Sequence, residues 1–174
     1  KTTADWKMQT GSENIALSEQ IPGQVPLVSL KSVSKTYQTG EIPFQALQST
    51  SLDIFPGELV VILGPSGCGK STLLNLIGGM DQPSTGEISY CGIDLAAAGD
   101  RLLTLYRRRE VGFVFQFYNL IPDLTAGENI LLAAELSENP LPLDMVLEEV
   151  GLTPRVNHFP SQLSGGEQQR VAIA

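Results

Sequence analysis

The sequence predicts an α/β domain in which a mixed sheet is followed by a helical insertion ahead of a final motif. Three observations carry this prediction. The apolar run Leu59-Val60-Val61-Ile62-Leu63 leads straight into a glycine-rich loop, Gly64-Pro65-Ser66-Gly67-Cys68-Gly69-Lys70-Ser71, and then into a helical pattern. Short apolar or alternating segments bounded by turns recur at residues 28–33, 51–55, 86–90 and 111–115, as strands do. Beyond Thr125 the apolar spacing turns helical.

Taken in order, residues 1–26 are polar and broken by Pro22, Gly23 and Pro26, which reads as a tail or linker. The domain proper spans residues 27–174. Val28-Ser29-Leu30-Lys31-Ser32-Val33 alternates like a strand, and Ser51-Leu52-Asp53-Ile54-Phe55 forms a second. Pro56-Gly57 joins that second strand to residues 59–63 by a connection short enough for a hairpin, so the two are expected to run antiparallel. A helix is expected through Thr72-Leu73-Leu74-Asn75-Leu76-Ile77, and a strand at 86–90 ends in the Cys91-Gly92 turn. Leu102, Leu103, Leu105 and Tyr106 mark a helix closed by Arg107-Arg108-Arg109, whose cations suit a helix C-terminus better than they suit a binding patch. Val111-Gly112-Phe113-Val114-Phe115 reads as a buried strand delivering Gln116. Thr125-x-x-Glu128 is a capping box ahead of Ile130, Leu131, Leu132 and Ala134. Asp144 to Val150 forms a short helix stopped by Gly151, with Pro154 beyond it. Ser164-x-x-Glu167 is a second capping box, opening a helix through Val171-Ala172-Ile173.

Composition bounds the function. The chain has 174 residues, 42% of them hydrophobic, and a formal charge of −8. That charge argues against a nucleic-acid partner. Charged residues are only 17%, which suggests surface reserved for other contacts. The two cysteines, Cys68 in the glycine-rich loop and Cys91 in a turn, read as reduced thiols of a cytosolic protein. No apolar run approaches the roughly 18 residues of a membrane span.

The glycine-rich loop carries the chemistry. A strand followed by GxxxxGK[ST] and a helix is a phosphate cradle, so the chain is expected to hold a nucleoside triphosphate. Gly64, Pro65, Ser66, Gly67, Cys68 and Gly69 let successive N–H groups turn inward as a concave anion site. Lys70 supplies a point charge for the β- and γ-phosphates, and the Ser71 hydroxyl can ligate Mg²⁺. The helix through Thr72 aims its positive end at the same phosphates. Near the end of the chain, Leu163-Ser164-Gly165-Gly166-Glu167-Gln168-Gln169-Arg170 offers a second helix start. Gly165 and Gly166 bare its N–H groups there, making a second anion site without a lysine. Ser164 can accept a hydrogen bond from its own helix while donating to a phosphate.

With these two motifs in sequence, residues 28–174 resemble the ATP-binding-cassette family, whose signature is LSGGQ-like. The resemblance implies a P-loop NTPase fold with an antiparallel β subdomain and a helical insertion. Residues 27–116 would form the ATP-binding core, 117–163 the helical subdomain, and 163–174 the signature motif with the start of its helix. It also implies that Ser164, Gly165, Gly166 and Glu167 face the γ-phosphate held by another copy, so that ATP joins two cassettes head to tail. Tyr37 matches the family's adenine-stacking aromatic. Gln116 matches the glutamine that reaches Mg²⁺ and the attacking water's neighbourhood, which places it with Lys70 among the catalytic residues. The apolar connector Phe117-Tyr118-Asn119-Leu120-Ile121-Pro122 either packs into the helical insertion or forms a groove for a membrane subunit.

Gly40-Glu41 after Tyr37, Tyr106-Arg107-Arg108 and Gly112-Phe113-Val114-Phe115-Gln116 look most like the macrolide-export, lipoprotein-release and glycolipid-export branch. Gly127 departs from the leucine common there, which should weaken its helix start by up to ~1 kcal/mol. The family's Mg²⁺-holding Asp, catalytic Glu and switch histidine follow the signature helix, in which this sequence ends. His158 precedes the signature and reads as a connector residue. The chain is therefore expected to be a C-terminally incomplete cassette, inactive by itself. The implied function is the ATP-binding, ATP-hydrolysing subunit of a transporter, peripheral on the cytoplasmic face of the membrane. It would couple hydrolysis to export or extraction through a permease. A nucleotide-dependent regulator of a membrane complex and a soluble non-transport ATPase stay open as alternatives.

Overall fold

A computed structural model describes residues 25–40, 42–137 and 139–174. The polar segment 1–24 and Glu41, both part of the reading above, lie outside the described residues. The chain divides into two compact units, one ending at Arg107 and the other spanning Arg108–Ala174.

The first unit is organised by an antiparallel four-stranded sheet in the order β2-β1-β3-β4. Its strands are β1 (Val28–Thr39), β2 (Ile42–Ile54), β3 (Thr85–Tyr90) and β4 (Ile93–Asp94). β1 is central, and Leu30 faces Leu52 on one side and Ile88 on the other. Such apolar cross-strand rows stabilise a sheet. Leu30, Val33, Leu47 and Ile88 are buried, together with Leu73 and Leu76 of α1 (Lys70–Ile77). The alternation at residues 28–33 thus forms a strand, and that strand runs on through Tyr37. Positions 42–50 of β2 gave no signal because six of the nine are exposed on an edge strand, and apolar and polar residues there come in blocks without strand alternation.

Two expected strands are absent, and the expected hairpin fails with them. Ser51 to Ile54 pairs with β1, as in Val28↔Ile54 and Leu30↔Leu52, and not with residues 59–63. That run turns at Pro56-Gly57 as expected but is irregular, with one isolated bridge at Val60. Residues 111–115 are irregular too, and not buried: Val114 is 58% exposed, as Leu59 is 79% exposed. A strand exists only where a neighbour takes its N–H and C=O groups, and among the described residues neither run has such a ladder.

α2 (Asp100–Arg109) buries Leu103 and Tyr106. The Tyr106 hydroxyl donates to the Ile77 carbonyl at 2.8 Å, and Arg107 Nη1 donates to the Gly79 carbonyl at 2.7 Å. Arg108 Nε donates to the Leu136 carbonyl at 2.5 Å. Both arginines therefore donate to carbonyls just beyond the ends of other helices, and Arg107 also bonds Thr104 within its own.

The second unit packs α3 (Ala126–Ala134), α4 (Leu143–Glu149) and α5 (Gly165–Ile173) around Ala126, Ile130, Leu147, Leu152, Leu163 and Val171. Both expected capping boxes form. Thr125 accepts from the Glu128 N–H while the Glu128 carboxylate accepts from the Thr125 N–H, and Ser164 and Glu167 repeat the arrangement. Gly151 follows α4 at φ 66, as a helix-ending glycine does.

Candidate functional site

The phosphate loop lies between the irregular run and α1. Gly69 takes φ 95 as the N-cap of α1, in the left-handed region that favours glycine. A Cβ at Gly69 would stand 2.6 Å from the Ala46 carbonyl, so the loop is seated against β2. Among the described residues, no partner is recorded for the N–H groups of Gly67, Gly69, Lys70, Ser71 and Thr72. They are the donors an anion at a helix start requires. Lys70 Nζ folds back over the loop, donating to the carbonyls of Gly64 at 2.8 Å and Pro65 at 2.7 Å, with Cys68 Sγ at 3.6 Å. Its charge thus stands at the cradle, held only by groups that an incoming phosphate can replace.

Tyr37 belongs to the same unit. Its phenol donates to Asp81 Oδ2 at 2.6 Å, and Lys35 Nζ lies 4.9 Å from its ring centre. Lys35 also bonds Asp81 at 2.5 Å and the Gln82 carbonyl at 2.7 Å. The hydrogen bond to the Asp81 carboxylate raises the phenol's pKa, with burial and that carboxylate's charge adding, while Thr72 opposes. For Asp81, burial pushes the carboxyl up, but Lys35, Tyr37 and the Gln82 N–H together outweigh it and hold the group below its ordinary value. Sequence reading named Tyr37 but missed Lys35 and Asp81, which fix its ring. No motif announces that pair, because they stand far apart in the chain.

In the second unit Gln116 is exposed in a tight turn closed by the Tyr118 N–H on the Phe115 carbonyl at 3.1 Å. Tyr118 and Asn119 follow with φ 60 and 53. Left-handed conformation costs a residue with a Cβ roughly 1–2 kcal/mol. Asn129 clamps the next stretch: its Oδ1 accepts from the Ile121 N–H, and its Nδ2 reaches the carbonyls of Ile121, Leu124 and Thr125.

The two capping boxes differ in what their helix starts do. On α3 the Ala126 N–H donates to the His158 carbonyl at 2.8 Å, and the Gly127 N–H to the Val156 carbonyl at 2.9 Å. On α5 no described residue takes the corresponding N–H groups of Gly165 and Gly166, and both glycines are exposed. One helix start is closed by the chain itself and the other is open. His158 serves α3 through its backbone, and its ring nitrogen stands 3.5 Å from Arg155.

Around the open start, Glu167 accepts from the Ser164 N–H and hydroxyl, both at 2.8 Å, and from Arg155 Nε at 2.9 Å. The backbone N–H of Ser164, then Arg155, then the serine hydroxyl bring its pKa down to about 2. The Ser164 hydroxyl is thus already donating, contrary to its expected availability for a phosphate. Gln168 Nε2 fixes the approach to the helix through the carbonyls of Pro160 and Leu163. Arg170 reaches back until Nη1 lies 3.8 Å from where a Cβ on Gly166 would be, so a cation stands at an anion site expected to have no lysine.

Comparison with known proteins shows the family. Residues 47–174 match the family described as ABC transporter. An uncharacterized ABC transporter ATP-binding protein of Thermotoga maritima is 46% identical over 153 residues, covering 85% of this chain and 65% of the relative. The lipoprotein-releasing system ATP-binding protein LolD of Pseudomonas fluorescens is 43% identical, with 85% and 67% covered. The macrolide export ATP-binding/permease protein MacB of Marinobacter nauticus is 44% identical, over 86% of this chain and 24% of its own. Among solved structures, the dimeric post-hydrolysis state of the ATP-binding cassette MJ0796, bound to ADP and Pi, superposes with a TM-score of 0.76. It is 45% identical, with 84% of this chain and 67% of that one covered. The chain thus spans about two thirds of the length of the separate ATP-binding proteins it matches. With that family match over residues 47–174 and relatives 43–46% identical, this chain belongs to the ABC transporter family as an ATP-binding domain.

Proposed function

We propose that the chain is the ATP-binding part of a transporter's ATPase subunit, working as a pair of cassettes closed around ATP on a membrane permease. The observation that carries this reading is the contrast between open and closed helix starts. α1 and α5 leave their first N–H groups available, whereas α3, with the same capping box as α5, does not. One open start carries Lys70 and suits a bound triphosphate. The other suits the terminal phosphate of a nucleotide held by a second copy, which makes ATP the glue of the dimer. Closure by ATP and release on hydrolysis convert binding energy into movement of the permease.

In this reading Gly64 to Thr72 wrap the phosphates and Tyr37 stacks on adenine. Ser164 to Glu167 complete the partner's site. Residues 27–116 act as the ATP-binding core, 117–163 as the helical subdomain and 163–174 as the signature segment. No cluster of three or more His, Cys, Asp or Glu suited to a metal occurs among the described residues. Mg²⁺, which prefers phosphate and water oxygens with few protein ligands, nevertheless suits this donor set. Ser71 and Gln116 would hold it, and it would neutralise charge developing on the phosphates. Likeness to proteins named for lipoprotein release and macrolide export supports export or extraction, with the subunit placed on the cytoplasmic face; the formal charge of −8 argues against a nucleic-acid partner.

The test is ATP hydrolysis by the full-length protein with its permease, comparing wild type with Lys70→Ala. Loss of a charged donor at the phosphates is expected to lower turnover by about 100-fold or more. Turnover that survives the substitution undiminished overturns the reading.

A further inference from the structure

Tyr118 stands two residues beyond Gln116, and its hydroxyl lies 3.9 Å from the point a Cβ on Gly165 would occupy. No described residue partners that hydroxyl. The neighbouring Ser164 hydroxyl donates to Glu167 at 2.8 Å, so among the described residues the phenol is the O–H left to offer at this helix start. The backbone that carries it is strained. Tyr118 and Asn119 sit at φ 60 and 53, with the Asn119 N–H folded onto the Phe117 carbonyl at 2.6 Å. Neither residue is the glycine that such angles favour. Gly165, lacking a Cβ, leaves the gap before the phenol open.

We propose that Tyr118 is a further donor of the signature site, contacting the terminal phosphate brought by a second copy and tying the Gln116 turn to its arrival. This rests on the two-cradle reading above. A phenol donating to an anionic oxygen makes a charge-assisted hydrogen bond, stronger than one between neutral groups. It also gives the turn bearing Gln116 a direct contact that exists only when the nucleotide-bound dimer has closed.

The experiment uses the full-length protein and Tyr118→Phe, which removes the hydroxyl and keeps the ring. Sedimentation at graded ATP, with magnesium chelated to block turnover, reads dimerisation; ADP binding and thermal unfolding are measured alongside. Tyr118→Phe is expected to need about tenfold more ATP for half-dimerisation, the usual weight of one hydrogen bond to a charged group. ADP affinity and melting temperature should stay at wild-type values, because neither involves the terminal phosphate. Dimerisation equal to wild type overturns the proposal. So does a parallel loss of melting temperature and ADP affinity, which would mark the hydroxyl as structural. A wild-type protein that stays monomeric in ATP would sink the two-cradle reading itself, and this inference with it.

Discussion

Gly127→Ala sets two familiar effects against each other, and the structure decides the sign. Replacing a helical glycine by alanine favours the helix by about 1 kcal/mol. Here, however, the new Cβ would meet Val156 Cγ2 at 2.7 Å and the Val156 carbonyl oxygen at 3.3 Å. Val156 cannot retreat freely, because that carbonyl accepts the Gly127 N–H at 2.9 Å. Moving it away sacrifices a hydrogen bond of about 1 kcal/mol. Overpacking of this kind costs roughly 1–3 kcal/mol, so the net expectation is a loss of about 1 kcal/mol. The glycine predicted to weaken its helix start is what lets the 156–158 segment close over that start.

A double-mutant cycle isolates the cause. Val156→Ala removes the clashing methyl group and, by lost burial of a partly buried side chain, costs about 1 kcal/mol alone. In its presence Gly127→Ala should become neutral or stabilising, giving a coupling of 1–2 kcal/mol, about the size of the overpacking removed. Urea unfolding of the full-length protein measures all four corners. Additivity within about 0.5 kcal/mol would refute the steric argument. So would a Gly127→Ala protein that is more stable than wild type, since propensity alone would then govern the site.

Two further predictions concern charge and ring. The folded pKa of Glu167 is about 2 against an ordinary 4.5, so its contribution to the α5 cap is present above pH 4.5 and disappears as pH falls from 4.5 toward 2. Arg155→Ala should raise that pKa, read from the Glu167 carboxyl carbon by NMR titration; an unchanged midpoint would show that the ion pair contributes nothing. For Tyr37, Tyr37→Phe keeps the ring and loses the Asp81 bond, whereas Tyr37→Leu loses the ring. If the ring stacks on adenine, Tyr37→Leu should weaken ATP binding by about 1–3 kcal/mol and Tyr37→Phe by much less. Equal losses in the two variants, measured by calorimetry, would assign Tyr37 a purely structural task.

The features that were legible in the sequence share a property: their cause is local. Glycines followed by Lys70-Ser71 make a cradle from backbone amides a few residues apart, and Thr125-x-x-Glu128 and Ser164-x-x-Glu167 each satisfy their donors within one turn. Residues 59–63 and 111–115 were misread because strandedness is a property of neighbours. An apolar run carries the tendency to pair but not the ladder, and no ladder forms along these runs among the described residues. The anchoring of Tyr37 by Asp81 was hidden for the same reason, since 44 positions separate the two.

The two capping boxes take this distinction furthest, because their local grammar is the same and their roles differ. What separates them is the return of the chain: Val156 and His158 bring carbonyls onto the start of α3, and no described residue does so for α5. Gly127 matters because it permits that return, and Gly165 matters because it leaves room where none occurs. On the proposed two-cradle reading, a carbonyl-bearing loop brought onto Gly165 and Gly166 would therefore close that anion site without altering the motif. Conversely, opening α3 would not create a second signature there. Of the charged groups near the α5 start, Arg170 reaches back over Gly166, whereas the first turn of α3 contains Glu128 and no cation. An anion drawn to bared amides on α3 would meet a carboxylate unaccompanied by an arginine, and repulsion would offset what the helix dipole supplies.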